Sequence, residues 1–234
     1  MNVLAFDTCL GAVSVAVRWQ SAHGDWQMRH AFEVRQGGHA ERLMPMIEEV
    51  MDEAGLAFSD LHRLAVTVGP GSFTGVRVGV AAARGLALAS GLPVVAATSL
   101  AVMAHGAEQQ LGASRGGRLL VVAVDAHRGM IYAQRFESAP DEPEQPLLLT
   151  PEEAAALVAE RAAIVVGSAA HVLAGAIAAA GGEAQAHLAD LQPDARSLAL
   201  MAGDLAPSSP LRPLYLRPPD VRPQADKSLP RAAP

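Results

Sequence analysis

A glycine-rich stretch is the strongest chemical signal in this 234-residue sequence. Residues 69–75, GPGSFTG, lie between a predicted strand and a predicted helix. Such a loop can present free backbone amides to an anion at the helix N-terminus. An alternative interpretation is a tight connection whose glycines allow positive φ and close packing. The candidate anion contacts are Gly69, Gly71, Ser72, Thr74 and Gly75.

A carboxylate and a hydroxyl, Asp7 and Thr8, follow the first predicted strand and precede a turn at Gly11. Side chains of this type at a strand end could face the phosphates of a nucleotide or a magnesium-bound water. Taken alone, the pattern favours a simpler role in which Asp7 caps the amides of the local turn.

Residue counts exclude several classes of protein. The one cysteine, Cys9, excludes a disulfide framework and a thiolate zinc cage. Lys227 is the only lysine, so a GKS or GKT phosphate loop and a buried Schiff-base lysine are not expected. The eight histidines form neither an HExxH motif nor a pair with His-x3-His spacing, and Ser72 lies in no GxSxG motif.

The net charge of −6 indicates that the chain does not hold nucleic acid by itself. A nucleic-acid-binding surface usually carries a basic stripe, and here the arginines are scattered among acidic residues. Any contact with nucleic acid is therefore expected through another subunit. No apolar run is long enough to span a bilayer, and the first residues lack the pattern of a signal peptide, so we expect a cytoplasmic protein.

The hydrophobic pattern predicts two α/β halves joined by the glycine-rich stretch 112–118. Strands are predicted at 2–7, 12–19, 25–34, 62–68, 94–97, 119–125, 130–136 and 162–168. Helices are predicted at 40–54, 74–90, 98–110, 169–180 and 195–205, with another beginning at Thr150. From Pro207 onward, the high proline and arginine content predicts extended or disordered chain.

The predicted helix 40–54 is apolar over an arc of about 160°, wider than the roughly 100° that one core face needs. Its pattern fits a deeply buried helix or a partner surface equally well. Met44 and Met51 lie at one margin, and methionines adapt to irregular contacts. We expect Met44→Glu and Met51→Glu to weaken association while the monomer stays folded, unless this margin is core.

Several motifs together resemble the TsaB (YeaZ) family. The most specific is GPGSFTG-x-R at 69–77, after a first strand that ends in Asp-Thr. Others are His39-x3-Leu43-x-Pro45, Thr98-Ser99-Leu100, the hairpin 124–132 and Pro213-Leu-Tyr-Leu-Arg217. The hairpin departs from the family pattern at His127-Arg128. The resemblance spans residues 1–217.

The resemblance implies an α/β fold of the actin/Hsp70-like (ASKHA) class, with two domains that each contain a mixed β-sheet flanked by helices. On this basis, residues 1–111 form an N-terminal domain that carries the glycine loop and the partner helices. Residues 112–217 form a C-terminal domain, and 218–234 form a flexible tail. Asp7, Thr8 and the loop 69–75 match the family's nucleotide-loop positions.

The same resemblance implies a non-catalytic scaffold that binds TsaD, the related subunit that transfers a threonylcarbamoyl group to the adenosine beside the anticodon of tRNA. The expected partners are TsaD in a heterodimer, the ATPase TsaE, a second copy when TsaD is absent, and tRNA only indirectly. The two N-terminal helices would supply the interface through Leu43, Met44, Ile47, Met51, Val76, Val80 and Ala83.

Neither a metal nor a cofactor of its own is expected. TsaD-type proteins hold a metal with two histidines four residues apart, and the matching positions here are Ser99 and Met103. ATP or ADP is expected only in the assembled complex. The alternative function is an ATP-dependent phosphotransferase of the same fold, with Asp125 as its second nucleotide-facing acid. A peptidase would lack both zinc ligands and a Ser-His-Asp arrangement.

Overall fold

Two five-stranded mixed sheets form the framework of the chain. The structure is a computed structural model that describes residues 1–137, 144–158 and 160–217. The first sheet contains β1 (Val3–Asp7), β2 (Ala12–Gln20), β3 (Trp26–Val34), β4 (Arg63–Thr67) and β5 (Val94–Ala97). The second contains β6 (Leu119–Asp125), β7 (Ile131–Phe136), β8 (Leu147–Leu149), β9 (Ala163–Val166) and β10 (Ala184–His187).

The two sheets share one topology. The strand order is β3-β2-β1-β4-β5 in the first and, from the matching edge, β8-β7-β6-β9-β10 in the second. In each, the first three strands along the chain pair antiparallel, and the last two add parallel to the central strand. This repeat of a meander followed by parallel crossovers confirms the predicted actin/Hsp70-like α/β class.

Six α-helices connect and cover these strands within the described residues. They are α1 (His39–Ala54), α2 (Phe73–Ser90), α3 (Ser99–Leu111), α4 (Pro151–Ala156), α5 (Ala170–Ala179) and α6 (Ala195–Met201). Hydroxyl caps begin three of them: Ser72 accepts from the Gly75 amide at 3.0 Å, Thr98 from Ala101, and Thr150 from Glu153. No helix in the described ranges is long and apolar enough to cross a membrane.

One helix from each half packs on the other half. The face of α3 that carries Leu100 and Met103 packs against Leu120 of the second sheet. In return, α6 covers the face of the first sheet opposite α1 and α2, where Leu198 lies against Ala16. The predicted boundary at 111/112 falls between the last strand of the first sheet and the first strand of the second, and a helix from each side packs on the other half.

The C-terminal segment 207–217 lies against the first half, so the expectation of extended or disordered chain holds only in part. The Ser208 amide donates to the Val94 carbonyl at 2.8 Å, and the Leu214 amide to the Val68 carbonyl at 2.7 Å. These hydrogen bonds tie extended chain to the ends of β5 and β4. The predicted flexible tail, 218–234, lies outside the described residues.

Candidate functional site

The glycine loop packs directly on the turn that follows β1. A Cβ atom at Gly71 would overlap the Cys9 carbonyl oxygen, and one at Gly75 would overlap the Thr8 carbonyl oxygen. The Ser72 amide donates to the Cys9 carbonyl at 2.8 Å, and the Thr8 hydroxyl donates to the Gly75 carbonyl at 2.7 Å. The glycines thus allow two backbone segments to approach closely, as the alternative interpretation of the loop proposed.

The loop uses several of its polar groups internally. The amide of Gly75 donates to the Ser72 hydroxyl, and the carbonyl of Gly69 accepts from the Ser99 amide at 2.9 Å. The side chain of Thr74 remains exposed, as does that of Ser72. A nucleotide contact through this loop stays a prediction, and it would need groups other than the Gly75 amide and the Gly69 carbonyl, which are already hydrogen-bonded.

Asp7 is enclosed completely at the end of β1. One carboxylate oxygen, Oδ1, accepts from the Thr67 hydroxyl and from the Cys9 amide at 3.2 Å. Its other oxygen, Oδ2, is buried without a hydrogen-bond partner. Burial raises the pKa of Asp7 to about 6, although the hydrogen bonds from Thr67 and Cys9 oppose the rise. The bond to the Cys9 amide confirms the local capping role.

A cleft of about 670 Å³ lies between the two halves. Its walls include Gly71, Ser72 and Phe73 from the loop, Asp125 and His127 from the β6–β7 turn, and Tyr215 and Arg217 from the C-terminal segment. Of the predicted nucleotide-loop residues, only Gly71 and Ser72 line this cleft. Asp7 and Thr8 are fully buried beneath the loop.

The β6–β7 turn at the cleft has a constrained backbone. His127 and Arg128 adopt positive φ values of 61° and 56°, which non-glycine residues seldom do. The carboxylate of Asp125 accepts from the His127 amide at 2.7 Å, and its own amide donates to the Ser168 hydroxyl at 2.9 Å. Asp125 thus lines the cleft, and its role as a nucleotide-facing acid stays a prediction.

An aromatic and arginine cluster holds the C-terminal segment at the cleft mouth. The rings of Phe73 and Tyr215 lie 5.1 Å apart. Arg77 stacks over Phe73 at 3.6 Å and donates to the Tyr215 hydroxyl at 3.0 Å. Arg217 then donates to the His127 carbonyl at 3.2 Å and joins the segment to the second half. The Tyr-Leu-Arg motif was the sequence signal for this contact, but its position could not be inferred.

The predicted partner interface needs correction. Six of its seven side chains are buried in the core of the first half, so they cannot contact a partner in this conformation: Leu43, Ile47, Met51, Val76, Val80 and Ala83. The apolar arc of α1 is wide because the helix packs on both the sheet and α2. Only Met44, with 38% of its surface exposed, remains available.

The two positions that match metal-binding histidines in TsaD-type proteins serve the fold instead. The hydroxyl of Ser99 donates to the Pro70 carbonyl of the loop. The side chain of Met103, on α3, is buried against the second sheet. Across residues 1–137, 144–158 and 160–217, no three His, Cys, Asp or Glu side chains are grouped as metal ligands.

Comparison with known proteins gives consistent matches. A family model described as "TsaD: tRNA N6-adenosine threonylcarbamoyltransferase" matches residues 33–145. The tRNA threonylcarbamoyladenosine biosynthesis protein TsaB of Escherichia coli K12 is 37% identical over 137 residues, which are 58% of this chain and 55% of the relative. The chain spans about half the length of curated relatives that it matches.

Two solved structures from Pseudomonas aeruginosa match over more of the chain. One, described as an uncharacterized protein with similarity to peptidase YEAZ, is 30% identical, with a TM-score of 0.74 over 92% of this chain and 99% of that one. The other, YeaZ, is 29% identical with a TM-score of 0.71 over the same shares. With its fold, its loop and these relatives in agreement, the chain belongs to the TsaB (YeaZ) family.

Proposed function

We propose that this chain is an accessory subunit in the synthesis of threonylcarbamoyladenosine in tRNA, and that it binds a TsaD-type transferase without performing catalysis itself. Its family membership supports a role in this biosynthesis, since the Escherichia coli relative is named for it. The match of residues 33–145 to the TsaD family model supports the proposal that this subunit is related in sequence to the transferase.

The closed glycine loop is the observation that carries the non-catalytic assignment. In this chain, the loop packs on the Thr8 and Cys9 carbonyl oxygens, and Asp7 lies fully buried beneath it. A phosphate at the loop would meet neither a free Gly75 amide nor the Asp7 carboxylate. The chain therefore contributes by binding and positioning another subunit.

The outer faces of α1 and α2 form the proposed partner surface. Met44 is exposed on α1, and Leu88 is almost fully exposed on α2. Glu48 and Asp52 follow Met44 at four-residue intervals, so the exposed face of α1 is acidic as well as apolar. We assign the contact with TsaD to this face instead of the buried residues beneath it.

The assembled complex is expected to supply what this subunit lacks. We expect ATP or ADP to bind only there, with TsaE as the ATPase, and no resident cofactor in this subunit. The net charge of −6 supports indirect contact with tRNA through the partner. A homodimer would form when TsaD is absent, and the whole assembly would work in the cytoplasm.

The test combines a reconstituted transfer assay with substitution of one exposed methionine, Met44, and one buried methionine, Met51. We expect the chain alone to transfer no threonylcarbamoyl group from threonylcarbamoyl-adenylate to tRNA, and to support transfer when TsaD and TsaE are added. Met44→Glu should weaken TsaD binding at least about tenfold at unchanged melting temperature, because a charge would be buried at the interface. Met51→Glu should instead unfold the chain.

Val172→Glu is the matched control, since Val172 is an exposed apolar residue on α5 of the other half. It should change neither TsaD binding nor melting temperature. Transfer by the chain alone would contradict the non-catalytic assignment. Wild-type affinity of the Met44→Glu variant for TsaD would contradict the assigned surface.

The ATP-dependent phosphotransferase remains the second candidate because Asp125 lines a cleft large enough for a nucleotide. Phosphoryl transfer also needs carboxylates that hold a metal and a base that activates the acceptor. Isothermal titration calorimetry with Mg-ATP separates the two functions. Binding that is lost in Asp125→Asn would favour the phosphotransferase, and no binding at millimolar Mg-ATP would eliminate it.

A further inference from the structure

The guanidinium group of Arg217 lies at the cleft between the halves without an anionic partner among the described residues. Its side chain is half-buried and lines the cleft. Across residues 1–137, 144–158 and 160–217, its one hydrogen bond goes to the His127 carbonyl at 3.2 Å, and no carboxylate lies within ion-pair distance. A guanidinium carries several N–H donors in a planar fork that matches a carboxylate. Most donors of Arg217 are therefore available to a ligand.

The hydroxyl group of Tyr132 is a second donor that the fold does not use. Tyr132 is 8% exposed, and its ring packs in the cluster between α3 and the second sheet. It lines the same cleft, and within the described part of the chain its hydroxyl makes no hydrogen bond. Burial raises the pKa of Tyr132, whereas the nearby charge of Arg217 opposes the rise. The two side chains thus lie near one another at the cleft.

A carboxylate contacts the same turn residue as Arg217. Oδ1 of Asp125 accepts from the His127 amide at 2.7 Å, whereas Arg217 donates to the His127 carbonyl. The side chain of Asp125 is 56% exposed, and no ion pair joins it to Arg217. The separation of the two charges is therefore set by the backbone of a single residue. A zwitterion can bridge such a separation with a hydrogen bond at each end.

The remaining lining of the cleft is largely apolar. Leu10 comes from the first half, Leu191 from the second, Leu214 and Leu216 from the C-terminal segment, and Phe73 from the glycine loop. The four leucines are only half-buried, so each keeps apolar surface for a ligand. The cleft volume of about 670 Å³ falls within the range of about 300–1,000 Å³ that is typical of small-molecule sites.

We propose that this cleft binds a free α-amino acid with a large apolar side chain. Arg217 and the Tyr132 hydroxyl bind its carboxylate, Asp125 binds its ammonium group, and the leucines with Phe73 contact its side chain. The site uses residues other than the exposed face of α1 around Met44. This ligand therefore goes beyond the proposed function and does not depend on it.

The charges at the cleft favour a carboxylate over a phosphate. Among the lining residues that the structure describes, Arg217 is the one arginine or lysine. One guanidinium balances one carboxylate, and the ammonium group balances Asp125. A phosphate dianion would need further cations or free amides, but the Gly75 amide already donates to the Ser72 hydroxyl, and Asp125 would repel the dianion.

Isothermal titration calorimetry of the full chain with L-leucine, L-phenylalanine and L-tryptophan tests the proposal. We expect saturable binding, with L-phenylalanine as the reference ligand. L-Phenylalaninamide lacks the carboxylate, and N-acetyl-L-phenylalanine lacks the ammonium group. Each analogue should bind at least about tenfold more weakly than L-phenylalanine, because it leaves one charged group of the cleft without its partner.

Variants assign each charge of the ligand to a residue. Arg217→Met should abolish the preference for L-phenylalanine over its amide, and Asp125→Asn the preference over the N-acetyl analogue. Tyr132→Phe keeps the buried ring and should weaken L-phenylalanine binding about two- to tenfold. Arg212→Met is the matched control, since Arg212 is an exposed arginine of the same segment and does not line the cleft. It should leave every affinity unchanged.

Three results would overturn the proposal: no binding of any of the three amino acids at millimolar concentration, equal binding of L-phenylalanine and its amide, or an Arg217→Met variant that weakens both equally. Displacement of L-phenylalanine by millimolar inorganic phosphate but not by acetate would also overturn it and assign the site to a phosphate. Circular dichroism verifies that each variant folds. If Arg217→Met unfolds, the ligand analogues and Tyr132→Phe, which loses no hydrogen bond of the fold, still decide the outcome.

Discussion

The carboxyl group of Asp7 is held in an environment that disfavours its charge. It lies fully buried at the end of β1, with one oxygen bonded to Thr67 and Cys9 and the other without a partner. Such an arrangement costs stability whenever the carboxyl is ionised. Sequence alone indicated the turn-capping role of this residue, but its burial depends on the loop that packs over it from more than sixty positions away.

Asp7→Asn should reveal this cost as a pH-dependent difference in stability. The pKa of Asp7 rises from 3.8 to about 6 on folding, so folding favours the protonated form. The resulting stabilisation is present at low pH and is lost as pH rises through 6. Relative to the variant, the wild type should lose about 1.4 kcal/mol of unfolding free energy between pH 5 and pH 7.5. Urea unfolding at both values measures it.

Thr67→Val tests the same pKa shift from the side of the hydrogen-bond donor. The Thr67 hydroxyl bonds to the ionised carboxylate and lowers the pKa of Asp7, so its removal should move the stability transition to higher pH. A constant stability difference between Asp7→Asn and wild type across this range would contradict a raised pKa.

At the scale of elements, α2 uses its glycines in two different ways. Gly75, in its first turn, lies against the Thr8 carbonyl, and Gly79 lies close to the Thr8 side chain. By contrast, a Cβ atom at Gly85 would meet no atom within 4 Å. The first two positions therefore permit close packing, whereas Gly85 only leaves the helix backbone more flexible.

Gly75→Ala and Gly85→Ala should have opposite effects on stability. We expect Gly75→Ala to lower the unfolding free energy by about 2 kcal/mol or more, since the added methyl overlaps backbone that cannot easily move. Gly85→Ala should raise it by about 0.5–1 kcal/mol through the higher helix propensity of alanine. Chemical denaturation measures both. Equal effects of the two substitutions would show that helix propensity alone governs α2.

Elements with strong periodicity were predictable from the sequence, and short or contact-dependent ones were not. The predicted helices 40–54 and 74–90 correspond to α1 and α2 within one residue at each end. The strand β10 was missed because its sequence, AQAH, lacks branched or aromatic residues and pairs only at a sheet edge. The interface was misassigned because periodicity identifies apolar faces but not the element that covers each one.

For the molecule as a whole, the exchange of helices couples the two halves. The apolar face of α3 is buried by the second sheet, and the first sheet is covered on one face by α6 from the far end of the chain. The C-terminal segment adds a third connection, because Arg84 holds Leu211 while Arg217 contacts the β6–β7 turn. Each half has one core cluster built almost entirely from its own residues, but a second cluster in each half depends on a helix from the other.

This coupling predicts a single unfolding transition. Trp19 and Trp26 lie on β2 and β3, so their fluorescence reports on the first half, whereas far-ultraviolet circular dichroism reports on both halves. We expect the two signals to change together with temperature.

Leu198→Ala removes fully buried side-chain volume from α6 and should lower the unfolding free energy by about 2–5 kcal/mol. Because α6 comes from the second half but covers the first, the variant should lower both midpoints equally. A fluorescence midpoint that falls while the dichroism retains a second, unshifted transition would contradict this coupling and show that the second sheet folds by itself.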